Sequence, residues 1–174
     1  DCLVAYKALL AMGYAGSEIA VSGDSAGGGM VLAMAQHLKQ TGQTLPAGMV
    51  LISPFVDLSL TASTITEMAD VDPMLAHAFL QRGGDAYRGE ISEYDPRVSP
   101  LFGEFSGLPR MLIQCGTDEV LRDDTLNLER KAKEAGVNVQ CSIYPRMWHN
   151  FQMFNLLIGT ADKALYEIAE FVRQ

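Results

Sequence analysis

Residues 19–30 read IAVSGDSAGGGM: three apolar residues run into a glycine-rich turn, and helical spacing resumes beyond it. A short apolar strand that feeds a helix, repeated along a chain, builds a parallel sheet covered by helices on both faces. The turn holds Ser25 between Gly23 and Gly27, a GxSxG pattern. On so sharp a strand-to-helix turn, a serine exposes its Oγ, and glycines two places away on either side remove the side chains that would crowd it. The helix that follows presents unpaired N–H groups, so the Ala26 N–H is placed to receive a developing oxyanion. The same five residues also arise by chance in glycine-rich bends, so the serine defines a nucleophile only if a base and an acid stand in the right places.

The rest of the chain repeats the alternation. Residues 1–12 (DCLVAYKALLAM) have helical spacing and stop at Gly13, so the chain opens inside a structural pattern. A helix is expected over 26–40 and a strand over 48–53 (GMVLIS), halted by Pro54. A third strand follows over 110–115 (RMLIQC), with a helix over 124–134 and a fourth strand over 137–144 (VNVQCSIY); a last helix spans 159–172. The fourth strand alternates apolar and polar residues, which predicts an edge strand with one face toward solvent or another subunit. Residues 57–108 are too many for a bare loop in a compact domain. They predict an insertion, helical over 73–87, lying above the carboxyl ends of the strands, where open α/β sheets bind ligands. The expected whole is one α/β catalytic domain, 1–174.

Composition narrows the function. A net charge of −8 with no basic run of five or more argues against a nucleic-acid partner, since phosphate contacts need clustered Lys and Arg. No stretch approaches the roughly 20 apolar residues of a membrane span. The three cysteines, Cys2, Cys115 and Cys141, have neither metal-ligand spacing nor an even count, and read as reduced core thiols of a cytoplasmic protein.

Three histidines make the search for a base sharp. His37 falls about three helical turns beyond Ser25 and cannot reach its Oγ, and His77 lies in the insertion. His149 follows the fourth strand, on the loop at its carboxyl end, which is the base position when the chain order is Ser, acid, His. For the acid, Cys115-Gly116-Thr117-Asp118 puts Asp118 on the turn after the third strand. Asp123 and Asp124 stand where the next helix begins and are expected to cap it. Asp24 points away from Oγ and is expected to bond the turn or an adjacent loop. Met74, Leu75, Phe79, Leu80, Trp148 and Phe151 are candidates for an apolar substrate pocket or, equally, for core packing.

Taken in order, GDSAGGG, DPRVSPLF (95–102), GTDEVLRDD (116–124) and MWHNF (147–151) resemble the hormone-sensitive-lipase-like carboxylesterases, the family IV bacterial lipolytic enzymes of the α/β-hydrolase superfamily. The resemblance covers nearly the whole chain. It implies an α/β-hydrolase fold and hydrolysis of short- to medium-chain carboxylic esters through an acyl-enzyme, without metal or organic cofactor. The triad it implies is Ser25, Asp118 and His149, with Ala26, Gly27 and Asp24 at the oxyanion and substrate side. Many such proteins form homodimers through the last strand, here 137–144. Two departures stand out. The HGGG-type segment that completes the family's oxyanion hole is not within these residues, which implies that roughly the first third of such a protein lies outside them. Asn150 stands where a small or apolar residue often follows the base. The alternatives are a ligand-binding protein on the same fold, a fragment inactive without the oxyanion glycines, and an amide rather than ester hydrolase, since pocket shape sets leaving-group preference.

Overall fold

A computed structural model describes residues 1–174. Four parallel strands, β1 (Ala20–Asp24), β2 (Gly48–Ile52), β3 (Arg110–Gly116) and β4 (Val139–Tyr144), lie side by side in chain order. Asp24 pairs in register with Ile52, Ile52 with Gln114, and Gly116 with Tyr144. The carboxyl ends of all four strands, and the turns that leave them, therefore arrive at one edge of the sheet.

The helices are α1 (Cys2–Ala11), α2 (Ala26–Gln40), α3 (Thr64–Glu67), α4 (His77–Arg88), α5 (Arg122–Glu134) and α6 (Gly159–Arg173). Strand alternation sorts them onto two faces. Met49, Leu51, Met111 and Ile113 pack against Leu32 and Ala35 of α2 and Leu128 and Ala132 of α5. Val50 and Leu112, one residue out of phase, pack against Phe171 of α6. Each fully buried leucine or isoleucine here contributes about 1.5–3 kcal/mol over an exposed one. Tyr6 of α1 joins Ile19 and α2 residues Met34 and Leu38 in a satellite cluster. Coverage on both faces holds for β2 and β3 but not for β1, where Ala20, Ser22 and Asp24 are exposed. The physical reason is reach: of the buried apolar residues of α6, Phe171 packs on Val50 of β2 and Leu112 of β3, while Ala161 and Ala164 pack on Phe151.

β4 is an edge strand, and its polar face meets water at Gln140 while its far end turns inward onto α6. Glu167 of α6 accepts hydrogen bonds from Gln140 Nε2 at 2.7 Å and Tyr144 Oη at 2.6 Å, and from Ser142 Oγ and Gln114 Nε2. Burial pushes the Glu167 carboxyl up, and these four donors outweigh it, leaving its pKa below the ordinary value. The alternation that predicts solvent thus also sets a row of donors around one carboxylate.

Between β2 and β3 the chain builds α3, α4 and a 3₁₀ turn at Pro100–Phe102. Phe55, Leu58, Ile65, Leu75, Leu80 and Val98 form a second core there, against Val120 and Leu121. α4 starts at 77 rather than 73 because the Asp72 carboxylate takes the N–H groups of Met74 (2.9 Å) and Leu75 (3.2 Å), closing a turn first. Asp123 and Asp124 do not cap α5. That helix begins at Arg122, so both carboxylates fall in its first turn and reach sideways. Asp124 accepts the N–H groups of Val56 (3.0 Å) and Asp57 (3.1 Å), while Asp123 accepts the Ser63 hydroxyl and the Thr64 N–H. No helix of the chain is long and apolar enough to cross a membrane.

Candidate active site

Ser25 joins β1 to α2 with φ 53° and ψ −123°, a backbone conformation that L-residues seldom adopt. The end of β2 holds it there. The Ser25 N–H donates to the Ile52 carbonyl at 2.9 Å, and its own carbonyl accepts from Phe55 at 2.9 Å and Gly28 at 3.0 Å. A side chain on Gly23 would collide with the Gly27 carbonyl, so the first flanking glycine is required by backbone closure. Gly27 faces open space, so the expected crowding exists on one side of the serine only. Gly29 has a packing role: a Cβ there would strike the Phe55 carbonyl oxygen. Ala26 and Gly27 open α2, where the first N–H groups lie outside the helical ladder and carry the positive end of its dipole.

His149, 3% exposed, stands on the loop after β4. Its Nδ1 lies 3.4 Å from Oε2 of Glu119, which is fully buried on the turn after β3. A carboxylate only accepts, so Nδ1 carries the proton and Nε2 is left free to accept one. The other carboxylate oxygen, Oε1, is fixed by the Ser53 hydroxyl at 2.8 Å and the Gly116 N–H at 2.5 Å. Asp118 points elsewhere. Its Oδ1 accepts the Thr117 hydroxyl at 2.7 Å, and its N–H donates to the Met147 carbonyl. The pairing of His149 with Asp118 is therefore corrected to Glu119. Adjacent residues on this turn face opposite ways, and the one that faces inward precedes Val120 and Leu121, both wholly buried.

Ser53 carries no motif and is also part of the arrangement. Buried at φ 44°, it donates to Glu119 and accepts the Asn150 N–H at 3.4 Å. Asp24 does not turn toward the Ser25 hydroxyl side: its Oδ2 accepts the Asn150 amide at 2.9 Å. His37 and His77 are exposed on α2 and α4.

An apolar cleft of about 330 Å³ opens beside Ser25 and Ala26. Its walls are Gly29, Met30 and Ala33 of α2, Phe55 and Leu58, Leu75, and the α4 face with Phe79, Leu80, Gly83, Gly84 and Tyr87. Leu75, Phe79 and Leu80 line it as expected, and Met74, Trp148 and Phe151 do not. Phe151 is fully buried against Tyr144, ring centroids 5.0 Å apart, and Trp148 packs edge-on to Phe154 at 5.7 Å. These aromatics stiffen the histidine loop. The three cysteines are free, and burial raises the Cys115 thiol far above its ordinary value and Cys141 to about 12, which leaves neither a thiolate nucleophile near neutrality.

A serine on a strand-to-helix elbow, with a histidine and a carboxylate on the turns of later parallel strands, defines a class. The family model described as the alpha/beta hydrolase fold matches residues 1–153, and this chain belongs to that family. It is 42% identical to an esterase of Acinetobacter venetianus over 95% of this chain and 55% of that protein. A crystal structure described as a hormone-sensitive lipase from a metagenome library superposes with a TM-score of 0.96 at 38% identity, over 99% of this chain and 60% of that one. EstE5, crystallised and soaked with p-nitrophenyl butyrate, gives a TM-score of 0.94 at 34% identity, over 98% and 57%. The chain thus spans a little over half the length of the relatives it matches.

Proposed function

We propose that the whole protein is a serine carboxylesterase in which Ser25 is the nucleophile, His149 the general base and Glu119 the acid that orients it. The observation that carries this reading is the buried His149–Glu119 pair on turns at the same sheet edge as the strained Ser25 elbow. His149 Nε2 takes the proton as Ser25 Oγ attacks the ester carbonyl, and the Ala26 N–H, with Gly27 behind it, stabilises the oxyanion. His149 then returns the proton to the departing alcohol. Water, deprotonated by the same imidazole, attacks the acyl-enzyme and releases the acid. The imidazole must be neutral to accept that proton.

The cleft lies at the small end of the roughly 300–1,000 Å³ typical of small-molecule pockets, which favours short to medium acyl chains. Residues 57–108 act in this reading as an insertion within a single catalytic domain, supplying the outer wall of that cleft. The open side of edge strand β4 supports a homodimer through 137–144, and the three free thiols, of Cys2, Cys115 and Cys141, support a cytoplasmic setting.

The test is hydrolysis of a p-nitrophenyl ester series by the whole protein beside Ser25→Ala. We expect kcat/KM to fall by about 10⁴-fold or more in the variant. Wild-type-like turnover in Ser25→Ala overturns the nucleophile, and binding of esters without turnover by the wild type turns the reading into a ligand-binding protein.

A further inference from the structure

The backbone at position 150 is left-handed, with φ 54° and ψ 34°. Glycine takes that conformation without strain, and asparagine is the side chain that tolerates it best. The asparagine present is 8% exposed, and its Oδ1 is buried without a hydrogen-bond partner. An orphaned buried acceptor is unfavourable, so the side chain persists for what its other end does. Its Nδ2 donates to Asp24 Oδ2 at 2.9 Å. Only the amide nitrogen can face a carboxylate, so chemistry fixes which way the side chain is turned. Asp24 immediately precedes Ser25, and Asn150 immediately follows His149. One charge-assisted hydrogen bond therefore joins the residues next to the nucleophile and the base, across β2 and β3, which separate their strands in the sheet.

We infer that Asp24 and Asn150 are a positioning pair, a clamp that holds the histidine loop at its working distance from the serine elbow. The inference rests on the esterase reading for its purpose and on the hydrogen bond for its geometry. The clamp closes a circuit at the strand ends: the Asn150 N–H donates to Ser53 Oγ, Ser53 donates to Glu119, and Glu119 accepts from His149. Without the Asp24 bond, the loop is tied to the acid but not to the nucleophile. Neither residue touches the reacting atoms, so their loss affects kcat more than KM.

The experiment reverses the polarity of the bond. The charged or titratable groups around position 150 are Asp24 on the β1 turn, His149 beside it and Glu119 on the β3 turn. Asn150→Asp sets two carboxylates face to face, which repel when both are ionised and share a proton when one is not. The Asp24→Asn/Asn150→Asp double variant restores an amide-to-carboxylate bond pointing the other way. Both variants place a new charge beside His149 and move the acid limb of the pH profile alike, so the alkaline side carries the information. With p-nitrophenyl butyrate and the whole protein at about pH 8.5, we expect kcat of Asn150→Asp to fall about 10- to 100-fold with KM nearly unchanged, a gap that narrows toward about pH 6. The double variant is expected to recover to within about threefold of the wild type. A loss equal at both pH values and not recovered by the double variant overturns the clamp, as does wild-type kcat in Asn150→Asp at the higher pH. If the wild type itself shows no turnover, the esterase reading falls separately, and thermal unfolding judges the clamp: a stability deficit of Asn150→Asp that grows with pH and vanishes in the double variant sustains it, and the same unfolding curve in all three overturns it.

Discussion

The turns that leave β1 to β4 gather at one edge of the sheet, and residues 57–108 wall the cleft that opens beside Ser25; the two regions are built on opposite terms. In the turns, nearly every polar group is committed: Ser25 to Ile52 and Phe55, Glu119 to Ser53, Gly116 and His149, Asn150 to Asp24. Such a region has one geometry, and the backbone strain at Ser25, Ser53 and Asn150 is stored there. The insertion meets the cleft mostly with apolar side chains, beside Tyr87 and Arg97, and with two adjacent glycines, Gly83 and Gly84 of α4. A Cβ at Gly83 would meet nothing, and one at Gly84 only the Leu58 side chain at ordinary contact distance. Each glycine costs a helix about 1 kcal/mol relative to alanine, and no close backbone approach calls for either. The turns fix chemistry, and the insertion leaves room.

The largest test of that contrast is at the acid. Glu119→Gln keeps the shape and removes the charge that orients and stabilises His149, so kcat should drop about 10³- to 10⁴-fold, while Asp118→Asn stays within about threefold. Steady-state kinetics on p-nitrophenyl butyrate decides it, and the reverse ranking would return the role to Asp118. On the insertion side, Gly84→Leu fills the cleft without touching a reacting group. Its kcat/KM should fall about tenfold on p-nitrophenyl octanoate and little on the acetate. Equal loss on both esters would mean that α4 positions the site rather than shapes the pocket.

The smallest effect lies at the joint between the two regions. Asp124 is buried on α5 and holds the N–H groups of Val56 and Asp57 at the root of the insertion. Burial, reinforced by the Asp57 charge and opposed by those two N–H donors, raises its pKa to about 8. In the unfolded chain it titrates as an ordinary carboxyl. The stability it contributes is therefore fully present below about pH 4 and lost as pH rises through about 8. Asp124→Asn keeps an acceptor for both N–H groups and cannot ionise. Melting curves should show the variant ahead of the wild type by a few degrees at about pH 9, with the gap closing toward about pH 5. A gap that does not change with pH would mean that Asp124 stays ionised in the fold.

Much of this could be read in the sequence. IAVSGDSAGGGM carries its own elbow, because a strand, a glycine at 23 and a helix start admit few other backbones. His149 could be found because the chain holds only three histidines, one of which follows the last strand. The alternation of apolar strands and helices gave the parallel sheet and its order of elements, and the length of 57–108 pointed to further helices between β2 and β3. What stayed hidden was direction. GTDEV offers two adjacent carboxylates, and which of them turns inward depends on the path of the chain past β3. The polar row of β4 reads as a solvent face, which it is at Gln140; that Glu167, from a helix beyond it in sequence, gathers its donors could not be read there. Asp123 and Asp124 read as caps because their partners, at 56, 57, 63 and 64, lie far away in the chain.

Local covalent and steric rules act over a few residues, so the sequence by itself determined the elbow, the serine, the histidine and the strand–helix alternation. Hydrogen-bond partners and cavity walls come from segments that only folding brings together. The tertiary structure alone therefore decided that Glu119 and not Asp118 faces His149, that Asp24 answers Asn150, and that α4 turns its glycines toward the cleft beside Ser25.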